Sequence, residues 1–405
     1  MKRIIRFFRA ASTAVFLLLS QAVFAQSVSV LSPSGFDDST LVKTEISLLT
    51  CMPHEEVYSL YGHTALRVCN EDDGVDVSVN WGVFDSGKPN FVINFILGWT
   101  DYVMAVVPTR YFLREYCYYG SMVRQQRLHL TVAEKRRLLL ALEENYRPEN
   151  RTYRYNFYYD NCTTRARDVI LGALDGKVEY AAVGKQCGRM SFRELVHWKT
   201  EGYPWCRWGN DFLLGVQSDA EASHDGREFI PEVLMADFDS ASVLRAGGEA
   251  SLLVDSSFVL LPAGVSMAEP MPDFPLSPRQ CAFVVLAVVV LLTLMERYVW
   301  HRKMRWLDIV LFHVFGLCGL LLVVMMFSEH PTVRMNLQIL LCCPLWLILY
   351  SPFVKWKYRN RVTLLILSLF FLGNIFQCYA EGMNVLALIL LIRTLNSLFR
   401  TVPKR

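Results

Sequence analysis

Asp160-Asn161-Cys162-Thr163-Thr164-Arg165-Ala166-Arg167-Asp168-Val169-Ile170 is the stretch on which the reading of the fold turns. Ala166, Val169 and Ile170 recur at helical spacing, so a helix is predicted with Cys162 at its start. A cysteine in the first helical turn has its thiolate favoured by the helix dipole and by free backbone N–H groups. The same N–H groups point to where negative charge forms on an attacked carbonyl. Upstream lies the densest aromatic run of the soluble part, Tyr153 to Tyr159. Before that, Thr131 and Glu134 form a capping box for a helix reaching about Tyr146, which Arg147-Pro148 ends.

Further upstream the pattern changes to strands. Lys43–Thr50 alternates and is β-branched, and Tyr61–Val68 and Val75–Asn80 flank a turn-rich Asn70-Glu71-Asp72-Asp73-Gly74, so a hairpin is predicted. His63 stands at the start of the first hairpin strand, after Gly62, and is the candidate base for Cys162. A third polar group must orient the imidazole. Asn80, on the paired strand, is preferred to Asp85 or Asn161. Each residue also has a plain structural reading. Cys162 can be buried or disulfide-bonded, and His63 a satisfied core histidine, with His54, His129, His197 and His224 as competitors. Tyr153–Tyr159 can pack a core, and Arg67, Arg165 and Arg167 can be ordinary ion-pair partners.

Downstream of Gly172 the chain reads as less regular, with Arg207–Phe212 and Phe229-Ile230-Pro231 as loops. A linker with five prolines between Leu261 and Pro278 then leads to a different composition. Apolar stretches run Cys281–Met295, Leu307–Phe327, Leu337–Val354, Val362–Tyr379 and Val385–Leu398, about five membrane spans. Bases crowd the first loop (Arg297, Arg302, Lys303, Arg305), the third (Lys355, Lys357, Arg359, Arg361) and the tail (Arg393, Arg400, Lys404, Arg405). By the positive-inside rule these face the cytoplasm. At the other end, Lys2, Arg3, Arg6 and Arg9 precede an apolar run from Ala10 to Leu19 and small residues ending at Ala25, the layout of a cleavable export signal. The expected organisation is therefore a signal at 1–25, an exported domain at 26–260, a linker at 261–280 and a membrane domain at 281–405.

Hydrophobic residues make up 53% of the 405, with a mean hydropathy of +0.26, more than a soluble chain carries. The formal charge of +3 gives no support to a nucleic-acid partner. Six of the eleven cysteines precede Cys281. Export permits disulfides among Cys51, Cys69, Cys117, Cys187 and Cys206, while Cys318, Cys342, Cys343 and Cys378 read as small apolar residues. Neither CxxC nor HExxH occurs, so no metal site is expected.

Tyr61-Gly62-His63-Thr64-Ala65-Leu66-Arg67-Val68 and the Asp160–Asp168 string resemble the paired motifs of the Lnb-type lipoprotein N-acyltransferases of Bacteroidota. Supporting pieces are Asn80-Trp81-Gly82-Val83-Phe84-Asp85, Glu144–Arg151 and Ser328-Glu329-His330-Pro331 before a span bearing Pro344, so the likeness covers most of the chain. It implies an α+β, circularly permuted papain-like (NlpC-related) exported domain, with histidine before cysteine, followed by an all-α membrane bundle of about five helices. Relatives of that frame include permuted NlpC-type peptidases and lecithin retinol acyltransferase. The implied enzyme sits in the inner membrane with a periplasmic catalytic domain and a cytoplasmic C-terminus. It takes a fatty acyl chain from a membrane phospholipid onto Cys162 and passes it to the α-amine of a diacylglyceryl-cysteine apolipoprotein, without a cofactor. On this resemblance His63 is the base and Asn80 its orienter. Tyr61 and Asn161 shape the site, and Glu329 and His330 face the substrate.

Two other readings stay open on the residues. A membrane-anchored peptidase or amidase would use the same His63 and Cys162 on cell-wall peptides; five spans suit lipid substrates better. A non-catalytic scaffold binding lipoproteins would keep its function in Cys162→Ser.

Overall fold

The computed structural model describes residues 37–84, 89–180, 189–245, 250–269 and 274–399, except the side chains of 91, 92 and 96. The expected export signal, Asp85, Cys187 and the basic tail from Arg400 lie outside the described residues. The chain divides into two compact units. One comprises the described parts of Met1–Lys88, Thr100–Gly188 and His224–Pro270; the other comprises those of Pro89–Trp99, Arg189–Ser223 and Met271–Arg405. Two pieces of the expected exported stretch thus group with the C-terminal part.

The first unit is built on β1 (Glu45–Cys51), β2 (His63–Asn70), β3 (Val75–Val83), β4 (Asp101–Pro108), β5 (Val123–Leu128), β6 (Thr152–Arg154), β7 (Gly176–Glu179), β8 (Ser242–Arg245), β9 (Ala250–Leu252) and β10 (Val254–Leu261). Seven strands form one sheet in the order β10-β5-β1-β2-β3-β4-β6, with antiparallel neighbours throughout, and β7-β8-β9 form a second. The predicted hairpin is present as β2–β3. Asn70 accepts at its side-chain oxygen from the N–H of Asp72, and Gly74 takes the left-handed φ of 64° that closes the turn.

Alternation gives the large sheet two buried faces. Ile46, Leu48, Leu66, Val68, Val79 and Trp81 face the core shared with the helices Val132–Tyr146, Cys162–Ala173 and Pro231–Ser240. Leu49, Cys51, Ala65 and Val123 face the helix Thr109–Tyr118 through Phe112 and Tyr116. Trp81 is fully buried, and its indole N–H donates to Asn145 at 2.8 Å, so the largest core side chain leaves no polar group unpaired. The capping box of Thr131 and Glu134 forms as expected, with the two reciprocal bonds at 3.2 and 2.8 Å.

In the second unit, Pro278–Tyr298 and Arg305–Met326 are long and apolar enough to cross a membrane. Their 21 and 22 residues reach about 31–33 Å at 1.5 Å per residue, the thickness of a hydrocarbon core. Arg359–Gly373 and Met383–Phe399 are shorter helices. The third expected span, Leu337–Val354, is not one helix: it holds a 3-10 turn at Leu337–Leu340 and one α turn at Trp346–Leu349. Pro344 between them lacks an N–H and clashes with a helical carbonyl one turn back. Backbone freed in this way needs protein partners. Gln338, fully buried, donates to the Asp211 carbonyl at 2.8 Å and accepts from the Ala380 N–H at 3.0 Å. Gln377 donates to the Leu214 carbonyl at 3.0 Å.

Residues 207–212, expected as a loop, belong to the helix Pro204–Leu213. Gly209-Asn210 carried the breaker signal, yet Pro204 suits the first helical turn, and Trp208 and Phe212, four apart, stack at 5.3 Å.

Candidate active site

Cys162 is the first residue of the helix Cys162–Ala173, and Asn161 caps it. The Asn161 side-chain oxygen accepts from the N–H groups of Thr163 and Thr164, both at 2.9 Å. Its amide donates to the carbonyls of Phe157 (3.1 Å) and Phe229 (2.8 Å). Every polar valence of this buried side chain is filled, the oxygen capping the helix and the amide tying that cap to Phe157 and Phe229. Asn161 borders the cavity that holds Cys162, and its cap fixes the position of Cys162. The Cys162 N–H is not part of the cap and remains at the positive helix end.

His63 and Asn80 come from the hairpin. Asn80 pairs with Ala65, so His63 is its diagonal neighbour on the same face, and His63 Nε2 lies 2.6 Å from Asn80 Oδ1. An amide oxygen only accepts, so Nε2 carries the proton and Nδ1 is left to take one from the thiol. His63 and Asn80 lie on the face under Thr109–Tyr118, whereas the Cys162 helix packs on the other. They meet at the strand end because no side chain stands between them. Gly82 has φ 87°, and a Cβ there would lie 3.9 Å from the Cys162 Cβ and 4.0 Å from His63 Cε1. Gly62, at φ 81°, passes so close to strand β1 that a Cβ would sit 2.8 Å from the Cys51 carbonyl.

The thiol and imidazole are electrostatically coupled. Burial raises the Cys162 pKa. The charge and hydrogen bond of His63, with further bonds from the Thr64 N–H and the Thr163 hydroxyl, outweigh it and bring Cys162 down to about 7. Burial lowers the His63 pKa, but the Cys162 thiolate, its hydrogen bond and that of Asn80 lift it to about 9. The imidazolium–thiolate form is therefore reached as pH rises through about 7, below the range in which an ordinary cysteine ionises. His54, one of the competitors, instead stacks on Tyr119 at 3.9 Å, and burial depresses its pKa to about 4.

Two cavities adjoin His63. A cavity of about 120 Å³ holds Cys162 and is walled by aromatics, among them Tyr61, Tyr102, Tyr155, Phe157 and Phe229. The other, of about 410 Å³, is lined by Met52, His54, Asn80, Glu115 and Tyr116. Tyr58, Gly62, His63, Gly82 and Phe84 border both. Tyr61 packs edge-on against Phe157 at 4.7 Å.

Tyr153 was read only as part of an aromatic run. Its hydroxyl is buried without a hydrogen-bond partner among the described residues, and a Cβ on Gly82 would lie 4.0 Å from it. The Arg165 guanidinium stacks on its ring at 3.6 Å while pairing with Asp160 through two bonds of 2.6 and 2.8 Å. The sequence signal for Tyr153 was the two-residue alternation of Tyr153 and Tyr155, which nothing local ties to Cys162.

Glu329 and His330 belong to the second unit. The Glu329 N–H donates to the Leu97 carbonyl at 2.9 Å, and His330 Nε2 lies 3.3 Å from the Phe95 carbonyl. Burial lowers the His330 pKa. The described cysteines are free thiols, including Cys51, Cys69, Cys117 and Cys206. Elsewhere in the first unit, His224, Glu228 and Asp237 bring donor atoms within 4.8 Å of one another, a grouping that no metal motif announces. Arg167 is its counterion, 3.2 Å from Glu228, whose pKa burial lifts to about 8.

Comparison with known families places the Lnb N-terminal periplasmic domain on residues 36–197 and the Lnb transmembrane domain on residues 269–405. No curated protein and no solved structure matched the chain. The periplasmic match contains His63, Asn80, Tyr153 and Cys162, and the transmembrane match contains both candidate spans, Glu329 and His330. With both domains present in one chain, this protein belongs to the Lnb family of inner-membrane proteins of lipoprotein maturation.

Proposed function

We propose that this protein is a lipoprotein N-acyltransferase that uses Cys162 as nucleophile, on a permuted papain-like frame, with its C-terminus in the cytoplasm. The observation that carries the proposal is the juxtaposition of Cys162, at a helix start, with His63, which Asn80 holds by a 2.6 Å hydrogen bond, at an aromatic cavity that both line. The papain-like part rests on a cysteine at a helix start, packed across a sheet that supplies histidine and asparagine earlier in the chain.

In the first half-reaction the Cys162 thiolate attacks the ester carbonyl of a phospholipid. The Cys162 N–H stabilises the oxyanion. Collapse breaks the ester C–O bond, and His63 protonates the departing lysophospholipid hydroxyl, leaving a thioester. In the second, the α-amine of a diacylglyceryl-cysteine terminus attacks the thioester and gives its proton to His63. The C–S bond breaks, the amide forms, and the proton returns to sulfur. Nothing is oxidised and no cofactor takes part. The aromatic cavity suits the acyl carbonyl and the first carbons of its chain, and shields the thioester from water. The wider cavity, with Glu115 on its wall, suits the α-amine terminus of the acceptor, which attacks in its neutral form. Tyr61 and Asn161 shape the cysteine cavity, and Glu329 and His330, between the second and third apolar stretches and so on the side opposite the basic loops, are assigned to lipid substrate. The transmembrane domain gives the reaction its setting, since both substrates are lipid-anchored and a membrane-bound enzyme meets them in a two-dimensional search.

The test is mass spectrometry of a reporter lipoprotein's N-terminal peptide from cells lacking their own N-acyltransferase. Wild type should acylate the α-amine, while Cys162→Ser and His63→Ala at matched levels should not. A free amine in cells with correctly inserted wild type would reject the assignment in favour of a peptidase or scaffold.

A further inference from the structure

The second unit holds a cavity of about 440 Å³ whose wall carries Lys303, Arg305, Lys355, Lys357 and Arg359. Five cations around one space repel one another, and a fold keeps such a group together at low cost only when anions answer it. The carboxylate on the same wall, Asp308, is already engaged: its Oδ1 accepts from Arg393 Nε at 2.7 Å. Lys303 also feels the charges of Asp308 and Glu296, both engaged with Arg393, while the hydrogen bonds and ring contacts that the cations make go to neutral groups. Lys303 donates to the Ser397 hydroxyl at 2.6 Å, Arg359 to the Asn360 side-chain oxygen at 3.3 Å, and Arg359 also stacks on Tyr350 at 4.7 Å.

The elements around the cavity put it at the ends of apolar helices. Arg305 opens the candidate span Arg305–Met326, Lys303 lies in the connection before it, and Arg359 opens the apolar helix Arg359–Gly373. Trp356 on the wall and Tyr358 beside it are both partly exposed, as aromatic side chains are at a membrane–water boundary. Base-rich loops are ordinary on the cytoplasmic side, and the positive-inside rule accounts for their sign. It does not account for two loops, some fifty residues apart in sequence, converging on one cavity. The space equals that of about fifteen water molecules, enough for a phosphodiester headgroup with part of its hydration.

We propose that this cavity is a binding site for the headgroup of an anionic phospholipid of the cytoplasmic leaflet. Lys303, Arg305, Lys355, Lys357 and Arg359 surround the phosphate, and Trp356 lies at the level of the acyl–headgroup boundary. The site needs the orientation proposed above but not the acyl-transfer chemistry, because its residues belong to the cytoplasmic loops and Cys162 to the periplasmic domain.

Native mass spectrometry of the full-length protein in detergent tests this with phosphatidylglycerol, phosphatidylethanolamine and inorganic phosphate as probes. Wild type should retain phosphatidylglycerol in preference to phosphatidylethanolamine. Lys355→Gln/Lys357→Gln should weaken that retention roughly thirty-fold, at about a factor of five for each cation near the surface. Both lysines are solvent-exposed, so the variant is expected to fold, and Lys355→Arg/Lys357→Arg should restore retention. Equal retention of the two lipids, or retention unchanged in the glutamine variant, overturns the proposal. Thermal stabilisation by inorganic phosphate equal to that by phosphatidylglycerol also overturns it, by assigning the cavity to a soluble anion. A free reporter amine with wild-type protein that still retains phosphatidylglycerol would reject the enzymatic reading alone.

Discussion

Gly82 marks the point at which three side chains from distant parts of the chain converge: His63 from β2, Tyr153 from β6 and Cys162 from the helix start. A phenol hydroxyl buried without a partner is costly to keep. Burial and the nearby Cys162 charge raise its pKa, so the hydroxyl holds its proton and can donate it in a hydrogen bond. This is what a tetrahedral oxyanion on a Cys162 adduct requires. Tyr153→Phe is therefore expected to slow acyl transfer by about 100-fold, the value of one such donor. It should leave the thiol titration unchanged, with alkylation of Cys162 by iodoacetamide still rising through a midpoint near pH 7. His63→Ala removes the charge that lowers the thiol pKa, so its alkylation midpoint should move up, above the ordinary cysteine value of about 8.5, because burial remains. A slowed transfer with a shifted midpoint in Tyr153→Phe would show that the phenol acts on the thiol itself and not on the oxyanion.

The local elements that build the site were readable because each carries its own signal. Thr131 and Glu134 announce a capping box, the Asn70–Gly74 turn pairs β2 with β3, and Asn161-Cys162 starts a helix. From that pairing the neighbourhood of His63 and Asn80 followed. The meeting of Tyr153 with this pair did not, because it depends on β6 joining the far edge of the sheet, a contact set by the whole fold. The helix Pro204–Leu213 and the broken third span were misread for a related reason: Gly209-Asn210 and the apolar Leu337–Val354 run are local signals that tertiary partners overrode. The Asn161 cap puts a number on one element. Asn161→Ala removes two cap bonds and leaves the Phe157 and Phe229 carbonyls without the amide that now reaches them. Loss of the cap alone is worth about 1–2 kcal/mol, and each buried carbonyl left unpaired adds about 1–3 kcal/mol. The expected result is a melting temperature lower by several degrees in the full-length protein. Asn161→Asp keeps the cap acceptor but not the donor, so its melting temperature should fall between the two.

At the scale of the whole molecule, each unit buries ion pairs as well as apolar surface, and in the first Glu134 and Glu228, both fully buried, pair with Arg245 and Arg167. The periplasmic unit closes an apolar core over both sheet faces. The membrane unit also buries charge. Arg393 is 1% exposed and donates to Glu296 at 2.8 Å, to Asp308 at 2.7 Å and to the Thr293 hydroxyl at 2.9 Å, joining Pro278–Tyr298, Arg305–Met326 and Met383–Phe399. Glu296 also accepts from Asn396 at 3.3 Å, so the triad is bonded on several sides. Desolvating three charged groups costs about as much as their mutual attraction returns. The triad's contribution is then in specifying which helices pair and at what register, and its removal in parts should differ from its removal as a whole. Arg393→Met strands two carboxylates in the bundle and should destabilise it by about 3–5 kcal/mol. In detergent that appears as a lower melting temperature. Adding Glu296→Gln and Asp308→Asn to Arg393→Met removes the stranded charges and should recover most of the loss. If the triple variant melts no higher than Arg393→Met, the network contributes attraction beyond its desolvation cost, and the bundle depends on the ion pairs for stability as well as for register.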